Sequence, residues 1–265
     1  MNEDSPADTW RGIFCGGQQM NRTMARIFTQ PKPILGMLHL AGDSAEDRLA
    51  LALRETDLMV AGGVDGIIVE NYFGSADDAR RVLEAFAAKP PGTVIGLNIL
   101  RNFRLAFDLV REFDVGFLQI DSVAGHLPPD EDADYAAELA ERRKGSSALL
   151  FGGVRFKYQP YKSGRSEKED LHLGMARADG IVITGAGTGQ ATDNDKVKRF
   201  RSVVGPDYPL LIGAGMTAET AAQQMRLADG AVVGSYFKDT YKDSGKVEQG
   251  HVERLMAEVR PLRAG

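Results

Sequence analysis

Short apolar runs alternate eight times with amphipathic helical segments along the chain, and this repetition limits the folds that the chain can adopt. Each run is rich in Ile, Val and Leu and is short enough to be a buried parallel strand. The runs occupy residues 33–40, 66–71, 94–100, 117–123, 149–158, 180–185, 209–215 and 230–236. Strict alternation predicts a parallel sheet with helices outside it, and eight such units favour a closed (β/α)8 TIM barrel. The alternative is an open doubly wound sheet, but the glycine motif that typically follows its first strand is missing here.

The organisation along the chain predicts a single barrel domain over residues 24–265. Residues 1–23 are rich in Gly, Gln, Asn and Asp and have no hydrophobic periodicity, so we expect them to form a flexible extension or to lie upstream of the true start at Met24. Side-chain oxygens that could cap helices stand near several predicted helix starts, at Ser75, Asp130, Ser166 and Thr217.

Composition narrows the class of protein. The chain has 265 residues and a formal net charge of −5, which gives no electrostatic reason to expect a nucleic-acid partner. Cys15 is the only cysteine, so neither an intramolecular disulfide nor a thiolate metal site can form, as is usual in a reducing compartment. Neither a signal-peptide pattern nor a stretch long enough to cross a bilayer is seen. We therefore predict a cytoplasmic protein; a homo-oligomer is common for such barrels, although no interface signal marks one.

Polar side chains are expected to point into the barrel near the ends of six consecutive strands. Side chains along a strand alternate between the barrel interior and the surrounding helices, so residue parity predicts which ones face inward. The inward set is His39, Glu70, Asn98, Asp121, Lys157 (with Arg155) and Thr184. Each of these could serve structure alone, but ionisable groups rarely converge inside a barrel without a ligand or partners. Since barrel enzymes carry their active sites at these strand ends, the set predicts a catalytic site.

The chemistry of this set leaves alternatives open. Glu70 and Asp121 could act as general base and acid, and His39 could shuttle a proton. Lys157 could hold an anionic substrate electrostatically or, if desolvated, form a Schiff base. The two carboxylates and the histidine could also hold a divalent ion, but no metal-binding signature such as HExxH is present, so we predict no cofactor.

The remaining three inward residues, Asn98, Arg155 and Thr184, are predicted to bind substrate rather than to react with it. Their amide, guanidinium and hydroxyl groups can form hydrogen bonds with a polar ligand, and none of them is a usual acid or base.

Glycines after the last three predicted strands suggest a phosphate site. Glycine lets backbone N–H groups approach an anion closely, and barrels often bind phosphate in the loops after strands seven and eight. We predict that Gly215, Gly234 and Ser235 form the core of this site, with Gly187 and Thr188 nearby. The alternative is that these glycines only allow tight turns, since the chain contains 30 of them.

Several of these segments together resemble the BtpA/SgcQ family. The matching segments are 33–40 (PILGMLHL), 63–71 (GVDGIIVEN), 96–102 (GLNILRN), 183–189 (ITGAGTG), 192–193 (TD) and 228–238 (ADGAVVGSYFK). The resemblance runs from about Met24 to the C-terminus and implies a TIM barrel of the ribulose-phosphate-binding type. Members are named partly for a role in photosystem I biogenesis and partly for sugar-related gene clusters. The chain departs from the family pattern at residues 121–126 and 155–158.

The residues and the resemblance together predict an enzyme that acts on a phosphorylated sugar or a related phosphorylated metabolite. Cleavage of lyase or aldolase type through Lys157, or isomerisation through Glu70 and Asp121, would use the predicted site. Two alternatives come from other classes: a non-catalytic assembly or biogenesis factor, and a ligand sensor. An assembly factor should expose an apolar contact patch, whereas a sensor would keep the phosphate site but need no general base.

Overall fold

A computed structural model describes residues 24–263, and the segment predicted as a flexible extension lies outside this range. The strands are β1 (Ile34–Leu38), β2 (Gly66–Glu70), β3 (Val94–Asn98), β4 (Phe117–Ala124), β5 (Leu149–Val154), β6 (Gly180–Ile183), β7 (Leu210–Ile212) and β8 (Gly230–Val233). The helices that follow them are α1 (Ala45–Gly62), α2 (Ala76–Ala88), α3 (Phe103–Glu112), α4 (Pro129–Arg143), α5 (Glu167–Arg177), α6 (Asn194–Val204), α7 (Ala218–Gln224) and α8 (Gln249–Val259).

The eight strands form a closed parallel barrel in sequence order. The first and last strands pair through Ile34 opposite Ala231 and Gly36 opposite Val233, which closes the ring. The sequence prediction of a (β/α)8 TIM barrel is therefore confirmed. Because all strands run in the same direction, their C-terminal ends meet at one face, the mouth of the barrel.

The barrel interior is filled by side chains at its N-terminal end. Phe117 and Phe151 lie there with their ring centroids 5.2 Å apart, and Phe28, which precedes β1, packs 5.9 Å from Phe117. Gly96 makes room for this cluster, since a Cβ at that position would lie 2.2 Å from the Phe117 ring. The end opposite the mouth is thus closed by an apolar core.

Most of the predicted capping residues begin helices. Ser75 and Ser166 accept hydrogen bonds from the backbone N–H three residues later, and the acidic side chains at those positions bond back to the cap. Thr217 is the N-cap residue of α7. The expectation for Asp130 was wrong: α4 begins one residue earlier, at Pro129, and Asp130 lies in its first turn. Proline suits that first position because its missing N–H would have no helical partner.

The pairing of β4 with β5 is irregular towards the C-terminal ends of these strands. The register between these strands shifts between Ile120 and Ala124. Gly153 accommodates the shift, because a Cβ there would lie 2.0 Å from the Asp121 carbonyl oxygen. The fifth apolar run was predicted to extend to residue 158, but β5 ends at Val154, and residues 155–158 form a turn at the mouth.

Within residues 24–263, no helix has both the length and the apolar character needed to cross a bilayer.

Candidate active site

A cavity of about 930 Å³ opens at the mouth of the barrel. Its lining includes all four residues predicted to be catalytic, which are His39, Glu70, Asp121 and Lys157. His39 directly follows β1, and Glu70 is the last residue of β2. Asp121 lies within β4 and Lys157 in the turn after β5, so barrel closure brings together positions distant in sequence. The volume falls within the range usual for small-molecule sites, about 300–1,000 Å³.

Two buried carboxyl groups share one amide at the floor of the cavity. The Asn98 side chain donates one hydrogen bond to Glu70 Oε1 at 2.8 Å and another to Asp121 Oδ1 at 3.1 Å. Burial, reinforced by the neighbouring Asp121 carboxylate, raises the pKa of Glu70 to about 8. Burial also raises the pKa of Asp121, against the hydrogen bond from Asn98. Glu70 therefore keeps its proton near neutral pH, beside a second carboxyl group that is held by the same donor.

His39 stands next to Glu70, with Nε2 at 3.9 Å from Glu70 Oε2. Burial, together with the positive charges of Lys238 and Lys157, lowers the pKa of His39 to about 3. The imidazole is therefore neutral at physiological pH. A neutral imidazole can relay a proton by accepting one at one ring nitrogen and releasing one from the other. It carries no positive charge that could stabilise an anion.

Lys157 lies at the side of the cavity where the loop after β6 approaches. Its ammonium donates to Thr188 Oγ1 at 3.0 Å, and its backbone N–H donates to Thr184 Oγ1 at 2.9 Å. Thr184 is 1% exposed and supports the Lys157 backbone from beneath, rather than lining the cavity itself. The Lys157 side chain is half-buried.

Backbone rich in glycine forms the wall of the cavity near β7 and β8. We call this wall the glycine rim, and it consists of Gly215, Gly234 and Ser235, with Thr188 and Gly189 from the loop after β6. Gly215 has φ +71°, and a Cβ there would lie 2.1 Å from the Gln190 carbonyl oxygen, so no larger residue fits. Ser235 begins a short 3₁₀ helix, Ser235–Phe237, whose first N–H groups have no partner within the helix. Gly187 does not line the cavity; it lies behind the rim, close to Gln190 and to the Tyr158 hydroxyl.

Arg155 does not point into the cavity, where residue parity had placed it beside Lys157. Its Nε donates to Asp170 Oδ2 at 2.9 Å and its Nη2 donates to the Arg165 carbonyl at 2.6 Å. The inward expectation was wrong because β5 has already ended, and Arg155 itself has φ +48°. The guanidinium holds the turn after β5 against α5.

Sequence reasoning missed several polar residues that line the cavity. Tyr72 and Tyr158 stand at its edge, and the Tyr158 hydroxyl accepts a hydrogen bond from the Thr188 backbone N–H at 3.0 Å. Arg101 lines the wall after β3. Gln119, two residues before Asp121 on β4, is 4% exposed, and its Oε1 has no hydrogen-bond partner among the described residues. The sequence signal available for Tyr72, Arg101 and Tyr158 was their position shortly after a strand end.

A metal site is not assembled by these groups. Among the residues that the structure describes, no cluster of three or more His, Cys, Asp or Glu side chains is arranged to hold a metal ion. His39, Glu70 and Asp121 lie in one cavity, but Asn98 stands between the two carboxyl groups and occupies one oxygen of each.

Known proteins are similar to this chain in both sequence and fold. An uncharacterised protein of Pyrococcus furiosus is 27% identical over 256 residues, covering 86% of this chain and 94% of that protein. The photosystem I biogenesis protein BtpA of Synechocystis is 25% identical over 240 residues, covering 80% and 83% of the two chains.

Solved structures show the same architecture at low sequence identity. The native structure of KDPGal has a TM-score of 0.60 and 15% identity, covering 86% of this chain and 95% of that one. Phosphoribosyl anthranilate isomerase from Thermus thermophilus has a TM-score of 0.56 and 16% identity, covering 87% and 100%. The model of the BtpA family matches residues 30–261, nearly the whole of the described barrel. The chain is therefore a member of the BtpA family, as the sequence motifs indicated.

Proposed function

We propose that this protein is an enzyme that moves a proton within a phosphorylated sugar or a related phosphorylated metabolite, in an isomerase or lyase type of reaction. The observation that carries the proposal is the shared Asn98 amide, which holds the Glu70 and Asp121 carboxyl groups side by side at the floor of the cavity. Two carboxyl groups with different proton affinities in one site can serve as an acid and a base at the same pH.

The protonation states suggest how the two roles divide. Glu70, with a pKa raised to about 8, can donate its proton to a substrate oxygen near neutral pH. Asp121 is then the group that removes a proton from the adjacent substrate atom. The Gln119 carbonyl oxygen, buried and without a partner, can accept a hydrogen bond from a substrate hydroxyl.

The other side of the cavity supports a phosphate group. Backbone N–H groups of the glycine rim can approach an anion closely because Gly215 and Gly234 carry no side chain. The Lys157 ammonium lies next to this rim through its bond with Thr188, so we assign it to electrostatic binding of the anion. A Schiff base on Lys157 is the competing role, and its half-buried position beside a hydroxyl group provides less desolvation than such a lysine needs.

A thermal-shift screen tests the substrate class. A ligand that binds the folded state raises the melting temperature Tm, so phosphorylated sugars should raise Tm and the same sugars without phosphate should not. Glu70→Gln and Asp121→Asn should each lower turnover at least about 100-fold while leaving the Tm shift intact. Borohydride treatment with substrate should leave Lys157 unmodified; a covalent adduct there would replace proton transfer with Schiff-base chemistry.

One observation favours a second candidate, a biogenesis or assembly factor, as the name of the Synechocystis relative suggests. Five exposed aromatic side chains surround the mouth in loops that follow β2, β5 and β8: Tyr72, Phe73, Tyr158, Tyr161 and Tyr241. They could provide an apolar contact patch for a protein partner. If no phosphorylated ligand raises Tm and Glu70→Gln leaves the biological activity unchanged, this second role replaces the enzyme.

A further inference from the structure

The cavity is lined by two cationic side chains, and only one of them lies beside the glycine rim. Lys157 is bound to Thr188 within the rim. Arg101 lines the same cavity but makes no ion pair or hydrogen bond with any other residue in the range 24–263. Most of the other arginines of the barrel are paired, for example Arg177 with Asp132 and Arg143 with Asp179. Arg101 is exposed, and its guanidinium is therefore available as a bidentate donor to a ligand in the cavity.

Barrel order places Arg101 across the mouth from the glycine rim. Arg101 follows β3, and Gly215 follows β7, which is four strands away in either direction around the eight-stranded ring. Glu70 and Asp121 belong to β2 and β4, the two neighbours of β3. An elongated ligand that reaches from the rim to Arg101 therefore passes over the two carboxyl groups.

The backbone at Arg101 is held in an unfavourable conformation. Its φ is +62°, in the left-handed region that residues other than Gly and Asn seldom adopt. Such conformations persist where the surroundings fix them, and they concentrate at ligand sites. Here the left-handed residue stands in the turn that follows β3, and this turn places Arg101 in the lining of the cavity.

We propose that Arg101 binds a second anionic group of the substrate, a carboxylate or a second phosphate, at the end distant from the glycine rim. The inference rests on the proposed function and narrows it: the substrate carries an anion at each end, with the reacting carbon between them. The planar guanidinium matches carboxylate and phosphate oxygens bidentately, and the cavity of about 930 Å³ has room for such a ligand.

Calorimetric titration with matched linear ligands tests this subsite in the full chain. Sorbitol 6-phosphate carries one anion, 6-phosphogluconate adds a carboxylate at the far end, and sorbitol 1,6-bisphosphate adds a phosphate instead. The variant is Arg101→Asn, because asparagine tolerates a left-handed backbone and the fold should be kept. Arg226→Asn is the matched control, since Arg226 is an exposed arginine between α7 and β8, away from the mouth.

The expected result is that Arg101→Asn weakens binding of at least one doubly anionic ligand about tenfold or more and leaves sorbitol 6-phosphate unchanged. Whichever ligand loses affinity identifies the second group as carboxylate or phosphate. Equal losses for all three ligands, or no loss for any of them, would overturn the second subsite and leave the proposed function standing. If none of the three ligands binds the wild-type protein, the second subsite is overturned, whereas the proposed function is decided by the wider thermal-shift screen.

Discussion

Glu70 and Asp121 owe their chemistry to burial and to a single amide donor. Glu70 is 6% exposed and lies near a second carboxyl group, so ionisation of either one is opposed by low polarity and by the charge of the other. Asn98, 2% exposed, offsets part of this penalty through its two hydrogen bonds. Asn98, which was predicted only to bind substrate, thus moderates the pKa values that burial raises in the two predicted catalytic groups.

Replacing Asn98 tests that role. Asn98→Ala removes the donor that both carboxyl groups share, so the pKa of Glu70 should rise above its present value of about 8. The free energy of unfolding should fall by about 1–3 kcal/mol, the usual cost of leaving buried acceptors without a partner. Carbon-detected NMR titration of the Glu70 carboxyl and urea unfolding measure the two effects.

Asn71→Ala is the matched control for this variant. Asn71 Oδ1 accepts a hydrogen bond from the Leu100 backbone N–H, so its loss should also destabilise the protein. It has no bond to Glu70, and the Glu70 titration should stay where it is. A Glu70 pKa that moves equally in both variants would show that general loosening of the site, rather than the shared amide, sets the value.

The raised pKa of Glu70 also predicts how stability depends on pH. The folded protein keeps the Glu70 proton up to about pH 8, whereas the unfolded chain releases it near the ordinary value of 4.5. The contribution of Glu70 to stability is therefore full below pH 4.5 and is lost as the pH rises to about 8. Relative to Glu70→Gln, the wild-type free energy of unfolding should fall by roughly a few kcal/mol between pH 5 and pH 8.

His39 provides the opposite comparison when the free energy of urea unfolding is measured as a function of pH. Its pKa is lowered to about 3 in the folded protein, so its stabilising contribution is present above the ordinary value of 6.5 and is lost as the pH falls towards 3. His39→Gln should therefore change the acid side of the profile. A wild-type profile parallel to that of Glu70→Gln from pH 5 to pH 8 would contradict the buried, protonated Glu70.

At the scale of the elements, a buried ion pair fixes the loop between β8 and α8 at the mouth. The Lys238 ammonium donates to both carboxylate oxygens of Glu55 on α1, each at 2.7 Å, and Glu55 Oε1 also accepts from the Val247 backbone N–H. Lys238 and Val247 are themselves bridged backbone to backbone. This loop carries Tyr241 to the cavity.

Glu55→Gln tests the ion pair without removing the oxygen that accepts from Val247. It leaves the Lys238 charge buried without a counter-ion, so the free energy of unfolding should fall by about 3–5 kcal/mol. The double variant Glu55→Gln with Lys238→Met should recover much of that loss, because no unpaired charge remains. The exposed pair of Arg80 and Glu112 is the control, since water screens such a pair and Glu112→Gln should leave the free energy of unfolding nearly unchanged. Similar costs for both single variants would contradict a structural role for the buried pair.

The elements also show where sequence reasoning succeeded and where it failed. Parity along β1 to β4 pointed His39, Glu70 and Asp121 into the barrel, and these three line one cavity because regular strands alternate their side chains. Asn98 lies beside them, bonded to both carboxyl groups. The same rule failed for Arg155, since β5 ends at Val154 and the following backbone turns into left-handed conformations. The point at which a strand ends depends on its neighbours, here the shifted pairing of β4 and β5, and an apolar run does not contain that information.

At the scale of the whole molecule, the apolar core and the candidate active site lie at opposite ends of the barrel. The end opposite the mouth is filled by Phe28, Phe117 and Phe151, whereas the mouth holds the ionisable groups and the glycine rim. The strand count and closure could be predicted because eight repeated units leave few other folds. Contacts such as that between Tyr158 and Thr188 could not, since they join loops that only the closed barrel brings together.

Phe28→Ala tests this separation. Phe28 is 5% exposed and packs on Phe117 at the closed end, so its truncation should lower the free energy of unfolding by about 3–5 kcal/mol. The dissociation constant for a phosphorylated ligand should stay within about twofold of the wild-type value at a temperature where both proteins are folded. A large loss of affinity in this variant would mean that the two ends of the barrel are coupled.

Proton exchange between substrate and solvent tests the central claim, which is that the two carboxyl groups move a proton on a phosphorylated ligand. The protein is incubated in D₂O with each phosphorylated sugar that raises Tm, and proton NMR follows the loss of the carbon-bound hydrogen. The account predicts enzyme-dependent deuterium incorporation that Asp121→Asn abolishes and Glu70→Gln slows strongly, with binding retained in both variants. Tight binding without exchange, or exchange that continues at the wild-type rate in both variants, would contradict it.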